Sequence, residues 1–255
     1  MRKFSAALLF LFVAAAARSE WKIVSVQSEP STAPGLEHRH VVLENSEGDD
    51  RVTIELALFS AKSCALRVID NAEGASNLAE AMLREKCAAG VNGGYFDPNF
   101  APIGLRVVDG KLLSPLRHAR LLTGILVSSS RGIQIMRIAE FSRRAKFDAA
   151  IECGPFLVDL GAGVRGLDET RSARRTFAAV DRANRSAFGF CSDVSLADLG
   201  RILANASFAG DFKIWRALNF DGGSSSAFWF KRKDGTAFSI SEQKTVRDFV
   251  AVAPK

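Results

Sequence analysis

Hydrophobic residues in this chain fall in short runs, many of them alternating with polar residues, and turn-forming residues separate the runs. That period-two pattern predicts strands. They are expected over residues 21–28, 36–43, 51–59, 65–69, 88–96, 103–108, 111–113, 121–128, 132–138, 151–159, 175–181, 187–191, 215–220, 237–240 and 249–252. Asp109-Gly110 is a two-residue hairpin signal between two of these runs. Residues 121–128 with 132–138, and 175–181 with 187–191, read as further strand pairs. Helical character is confined to two stretches. Asn77 and Glu80 have capping-box spacing before an amphipathic run to Cys87, and Ser195 and Asp198 open a second run to Asn205. Residues 161–172 form a loop rich in glycine, acids and arginine. Strands outnumber helices and do not alternate with them, which predicts an α+β fold: a single sheet-rich domain of mixed strands with a few flanking helices.

The N-terminus departs from this pattern. Arg2 and Lys3 precede an apolar run, Phe4 to Val13, and the small residues Ala14 to Ala17 follow. This three-part arrangement predicts a signal peptide over residues 1–17. The run is shorter than the roughly 20 residues a spanning helix needs. Residues 18–255 are then expected as one exported domain, periplasmic or secreted, with no membrane span after cleavage. The net charge of +6 for the whole chain suits anionic substrates or surfaces. No motif points to nucleic acid.

Four cysteines, Cys64, Cys87, Cys153 and Cys191, stand in a chain expected to leave the reducing cytosol,. Their order suggests the pairings Cys64–Cys87 and Cys153–Cys191, the first tying a strand to the end of a helix. Neither CxxC nor Cys/His spacing suggests zinc. No cofactor motif is read, and a need for a divalent cation stays open.

The densest chemistry lies in Leu218–Phe230, LNFDGGSSSAFWF. An apolar run delivers one carboxylate, Asp221, to a Gly222-Gly223 turn, and Ser224, Ser225 and Ser226 follow. Glycine turns let the backbone approach a ligand and present N–H groups to an anion. A related turn, Asn92-Gly93-Gly94, follows another apolar run. Arg175-Thr176 heads a third, and arginine binds phosphate or carboxylate oxygens bidentately. The serines invite a serine-esterase reading, but the G-x-S-x-G elbow is missing and His38, His40 and His118 are the sole candidate histidine bases.

Taken in order, Asn92-Gly93-Gly94-Tyr95-Phe96, Pro102-Ile103-Gly104 with Asp109-Gly110, Gly154-Pro155-Phe156-Leu157-Val158, Arg175-Thr176 and Leu218 to Ser225 resemble the phosphodiester glycosidase family. The resemblance spans roughly residues 36–252. Arg174-Arg175-Thr176-Phe177 departs from the small residues that follow Arg-Thr in many relatives. Phe220 stands where a well-known member has leucine. Both departures bear on the substrate pocket rather than the fold.

The resemblance implies hydrolysis of a sugar 1-phosphodiester, with a phosphorylated glycan or sugar phosphodiester as partner. Asp221 would act as base or nucleophile and Arg175 would stabilise the phosphate. Asn92 would orient substrate oxygens. The amides of Gly93, Gly94, Gly222 and Gly223 would stabilise the leaving group, with Gly104, Thr176, Ser224 and Ser225 also lining the substrate. Asp97, Glu152 and Asp181 are candidates for a second carboxylate or an ion site. The competing reading is a non-catalytic protein that holds an anionic glycan on the same fold.

Overall fold

In a computed structural model of the chain, residues 20–46, 48, 50–205 and 210–255 are described. The expected signal peptide lies outside them. The first strands are β1 (Trp21–Pro30), β2 (Glu37–Asn45), β3 (Arg51–Ser60) and β4 (Cys64–Asp70), followed by helix α1 (Leu78–Arg84). Next come β5 (Ala89–Asn92), β6 (Arg106–Val108), β7 (Lys111–Ser114), β8 (Gly124–Ser129), β9 (Gly132–Arg137), β10 (Ala149–Cys153) and β11 (Phe156–Asp159). The remainder is β12 (Ala162–Gly163), β13 (Ala173–Val180), β14 (Arg185–Val194), α2 (Leu196–Ala204), β15 (Arg216–Asn219), β16 (Phe228–Lys231), β17 (Ala237–Ile240) and β18 (Asp248–Pro254).

Three sheets result. The first runs β1-β2-β3-β14-β13-β15-β11-β12, the second β7-β6-β10-β8-β9 and the third β17-β16-β5-β18-β4. All three turn one face to a common core. Phe59, Phe156, Phe188 and Leu218 come to it from the first sheet, Leu126 and Ile151 from the second, and Val91, Phe228, Phe230 and Val250 from the third. The outer faces are covered differently. Helix α2 lays Leu199, Ile202 and Leu203 over the first sheet. Helix α1 lays Leu78, Ala81 and Met82 over the third. The second sheet receives no helix; Phe141 and Phe147, from the loop before β10, pack on its Leu105, Val107, Ile125 and Val127.

Local chemistry explains both helices. Asn77 accepts from the Glu80 N–H while the Glu80 carboxylate accepts from the Asn77 N–H, a reciprocal cap,. Ser195 likewise accepts from the Asp198 N–H,. Asp109, at φ 46°, and Gly110, at φ 76°, make the expected tight turn between β6 and β7.

Two expectations are corrected. The strands are not mixed: every pairing among the described strands is antiparallel, and with two helices the fold is mostly β rather than balanced α+β. Short turns serve most connections, and antiparallel strands need nothing longer. The cysteines are not paired; all four are buried free thiols. Cys64 and Cys153 point into the common core, Cys87 into the layer under α1 and Cys191 into the layer under α2. Each expected pair is thus split between layers, where the β-carbons cannot converge to disulfide geometry. Burial pushes the Cys87 thiol up to about 11 and Cys153 to about 12, so both behave as inert core groups,.

Candidate active site

The site forms where the chain crosses from the first sheet to the third. Strand β15 ends at Asn219, Phe220 and Asp221 follow, and a 3-10 turn over Gly223–Ser225 leads into β16. Strand β5 brings Asn92 to the same place from the third sheet, and β13 brings Arg175 and Thr176 from the first.

The two glycine turns touch. The Asn92 side-chain amide donates to the Asp221 carbonyl at 2.8 Å, and the Asp221 N–H donates to the Gly93 carbonyl at 3.2 Å. On its other side, Asn92 Oδ1 accepts from Thr176 Oγ1 at 2.7 Å and from the Ala227 N–H at 3.0 Å. Asn92 is fully enclosed. Its bonding capacity is consumed by the protein, so it does not orient substrate oxygens; it pins β5, β13, the Asp221 turn and the start of β16 together. Thr176 is buried with it and serves the same clamp.

The Gly93 and Gly94 amides also differ from expectation. Gly93 donates to the Asp248 carbonyl and Gly94 to Asp248 Oδ1, both at 2.8 Å. Asp248 in turn accepts from Arg106 Nε at 2.7 Å, with Arg106 at 0% and Asp248 at 1% exposure. The remaining guanidinium N–H groups reach the carbonyls of Tyr95, Leu105 and Glu152. A β-carbon on Gly93 would lie 1.8 Å from Asp248 Oδ1, and one on Gly94 2.1 Å from Arg106 Nη2. These glycines make room for a buried ion pair, and their N–H groups are committed to it rather than offered to an anion.

The Asp221 turn is open. Asp221 Oδ1 accepts from the Gly222 N–H at 3.0 Å and Oδ2 from Ser225 Oγ at 2.5 Å. Ser225 therefore acts on Asp221 rather than on substrate. Burial pushes the Asp221 carboxyl above its ordinary value. Ser225, the Lys244 charge and the Gly222 N–H pull the other way, and the Asp248 charge adds to the rise,. Nothing crowds the Cα of Gly223, which sits at φ 62°, and Ser224 beside it is partly exposed.

Arg175 is 7% exposed. Its Nε donates to the Val194 carbonyl at 3.0 Å and its Nη2 to the Arg171 carbonyl at 2.6 Å. Nη1 lies 3.8 Å from where a Gly222 β-carbon would stand and has no partner among the described residues. Burial, with the Arg171 charge adding to it, lowers the guanidinium below its ordinary value. The Asp168 charge offsets part of that cost, but no carboxylate forms an ion pair with Arg175 among the described residues. A buried cation with two N–H groups held rigidly and a third facing the Asp221 turn is a preorganised anion contact.

The candidates for a second carboxylate lie elsewhere. Asp181 accepts from the Ala183 and Arg185 N–H groups and pairs with the Arg185 guanidinium, bracing the β13–β14 turn at the end of β13 remote from Arg175. Asp97 accepts from the Asn99 and Ala101 N–H groups within its own loop. Glu152 is fully buried; its Oε2 accepts from the Leu105 and Arg117 N–H groups and packs on Gly104, while Oε1 has no partner. Gly104, at φ 94°, thus belongs to the Glu152 packing and not to the Asp221 turn. Among the described residues, no group of three or more His, Cys, Asp or Glu side chains is arranged to hold a metal ion.

No histidine meets the serines. His38 is held between Glu29 and Glu55, His40 also lies on Glu55, and His118 is exposed on a loop. The esterase geometry is therefore not assembled.

Sequence reasoning missed Arg106, Asp248, Lys244 and the roles of Tyr95 and Asn219. Tyr95 Oη donates to the Gly154 carbonyl at 2.6 Å and accepts from Asn219 Nδ2 at 3.2 Å, bracing the floor beneath Asp221. Arg106 was detectable in principle, as a single charge at the start of an apolar strand, whereas Asp248 follows Arg247 and does not stand alone. Lys244 carried no signal in its exposed loop.

Comparison with known proteins places this architecture. The phosphodiester glycosidase family profile matches residues 85–253. No curated protein matches the chain. Among solved structures, the catalytic domain of zebrafish N-acetylglucosamine-1-phosphodiester alpha-N-acetylglucosaminidase, auto-inhibited by its pro-peptide, is 15% identical, with a TM-score of 0.67 over 94% of this chain and 89% of that one. A hypothetical protein from Synechocystis is also 15% identical, with a TM-score of 0.62 over 87% of this chain. This chain spans 62% of that protein's length. At such identities the structural likenesses speak for the fold, whereas the profile match extends over most of the chain. The chain belongs to the phosphodiester glycosidase family.

Proposed function

We propose that this protein hydrolyses glycosyl phosphodiesters at the sugar C1–O bond, in an exported compartment, with Asp221 and Arg175 as its working pair. The observation that carries the reading is Arg175: nearly buried, without a carboxylate partner, and with Nη1 turned toward the Asp221–Gly222 turn. An anion placed there relieves the guanidinium's burial cost. A phosphate attached to an anomeric carbon is such an anion, and it is also a stabilised leaving group. It needs less protonation than an alcohol, so the two-carboxylate arrangement of ordinary glycosidases reduces to one carboxylate and one phosphate contact.

Asp221 supplies the carboxylate. Its two oxygens are oriented by Gly222 and Ser225, leaving lone pairs for a water or for the anomeric carbon itself. Its raised proton affinity suits a base,. Lys244, whose charge acts on Asp221, adds a second cation at the mouth. A protein that merely bound an anionic glycan would gain nothing from a carboxylate beside the phosphate. The zebrafish relative's name specifies an N-acetylglucosamine 1-phosphodiester, which makes that sugar the first to try.

The test is a panel of sugar 1-phosphodiesters offered to the purified protein, with and without a chelator. Release of free sugar and phosphomonoester from at least one member is expected. Tight binding across the panel with no release would contradict hydrolysis and support the binding protein.

A further inference from the structure

The outer face of the second sheet is the one that no helix covers. Between β6, β7 and the loop before β10 lies a cavity of about 620 Å³. Leu105, Val107, Leu112, Leu116, Phe141 and Phe147 supply apolar wall, and Arg143, Lys146 and Asp148 also line it. The Phe141 and Phe147 rings stack with centroids 5.1 Å apart, and the Gly110 N–H bonds the Asp148 carbonyl, so the hairpin and the loop form one wall. At the opening, on β7, Leu112 is 66% and Leu113 45% exposed. Large apolar side chains this exposed are few on the described surface, and two of them are adjacent here.

Charge is equally one-sided. Lys111, Arg117, Arg120, Arg143, Arg144 and Lys146 are all exposed on the same hairpin and loops, and none makes an ion pair among the described residues. The exposed acids nearby are Asp148 and Asp109, the latter 3.9 Å from Arg67; Glu140 is taken by Arg216. Elsewhere on the molecule arginines are commonly matched, as Arg185 is to Asp181 and Asp211 and Arg201 to Asp198 and Glu169.

We propose that this face docks on an anionic lipid bilayer, with Leu112 and Leu113 entering the acyl boundary, the cavity taking up an apolar chain, and the unpaired lysines and arginines contacting lipid phosphates. Unpaired cations interleaved with exposed leucines form an interfacial surface: the charges are attracted to the negative leaflet, and the leucines bury apolar area once there. A polyanion such as nucleic acid would use the cations but gives the leucines and the cavity's apolar wall nothing to do. The inference is independent of the Asp221 site, since no residue of that site lies on this face.

The test is co-sedimentation of the exported protein with vesicles of phosphatidylcholine alone and of phosphatidylcholine with phosphatidylglycerol. Binding to the anionic vesicles only is expected, weakening as salt rises. Arg143→Glu with Lys146→Glu should lower the affinity by about tenfold or more, since each basic residue near the surface contributes roughly a fivefold factor. Leu112→Ser with Leu113→Ser should remove the binding that survives high salt. Lys62→Glu with Lys233→Glu, two exposed cations on other parts of the surface, should change little. All three double variants should keep the far-UV spectrum of the parent. Equal binding to neutral vesicles, no binding to either, wild-type binding by the Arg143/Lys146 variant, or equal loss in the Lys62/Lys233 variant would each overturn the proposal.

Discussion

The Asn92-Gly93-Gly94 turn and the Asp221-Gly222-Gly223 turn lie against each other, joined by the Asn92 amide and the Gly93 carbonyl, yet they have opposite uses. In the first, both glycine N–H groups are spent on Asp248, and any side chain would strike Asp248 or Arg106. In the second, a carboxylate with raised proton affinity sits half-buried, and the Cα of Gly223 faces open space. A buried N–H must be paired. The turn that lies over a buried ion pair is therefore closed to ligands, and the turn at the sheet crossing stays available. One turn is the anvil, and the other is where we place the proposed chemistry.

The largest effect should come from beneath the closed turn. Arg106→Met leaves Asp248 buried and unpaired and should cost about 3–5 kcal/mol by chemical denaturation. A cost under about 1 kcal/mol would mean the pair is not the foundation of the Gly93-Gly94 turn.

The glycines themselves sharpen the contrast. Gly94→Ala forces a methyl into the Arg106 guanidinium, 2.1 Å away, and should destabilise by about 2–3 kcal/mol or more. Gly223→Ala has room and loses only the left-handed backbone preference, about 1 kcal/mol. Thermal unfolding of the two variants side by side checks this, and equal losses would erase the distinction between the turns.

A smaller effect concerns pH. In the proposed mechanism Asp221 works as a carboxylate, and its proton affinity is raised, so the acid limb of kcat/KM should lie above where an ordinary aspartate would put it. Ser225→Ala removes a bond that pulls the value down and should move that limb to still higher pH. A limb that stays put would detach Ser225 from Asp221. The stability sign runs the same way. A raised folded value favours the protonated form, so this contribution is present at low pH and lost as pH rises through that value. Asp221→Asn should accordingly be no less stable than the parent at neutral pH.

Much of this was legible in the chain. Period-two runs located most strands, Asn77 and Ser195 marked the helix starts, and Asp109-Gly110 marked a hairpin. Motif order carried the family resemblance, and the resemblance brought the two glycine turns and Arg175 into one expected site. Sheet membership was not legible, because pairing between distant strands such as β5 with β16 and β18 leaves no local trace. The same limit misassigned Asn92, Gly93 and Gly94. A residue type permits both catalysis and bracing, and the choice depends on Asp248, Arg106 and Thr176, which arrive from distant segments. Asp181 failed for a plainer reason: six residues along a strand from Arg175 place it at the far end of β13.

Steady-state kinetics of Asp221→Asn beside Arg175→Lys, on a sugar 1-phosphodiester that the parent cleaves, tests the central claim most directly. Asp221→Asn preserves the size and turn geometry but removes the base or nucleophile, so kcat should fall on the order of 10²-fold or more while substrate binding holds or tightens. Arg175→Lys keeps a charge but loses the planar fork, and should impair binding and kcat together. Near-parental turnover by Asp221→Asn would contradict the account and leave Asp221 a turn residue like its neighbour across the cleft.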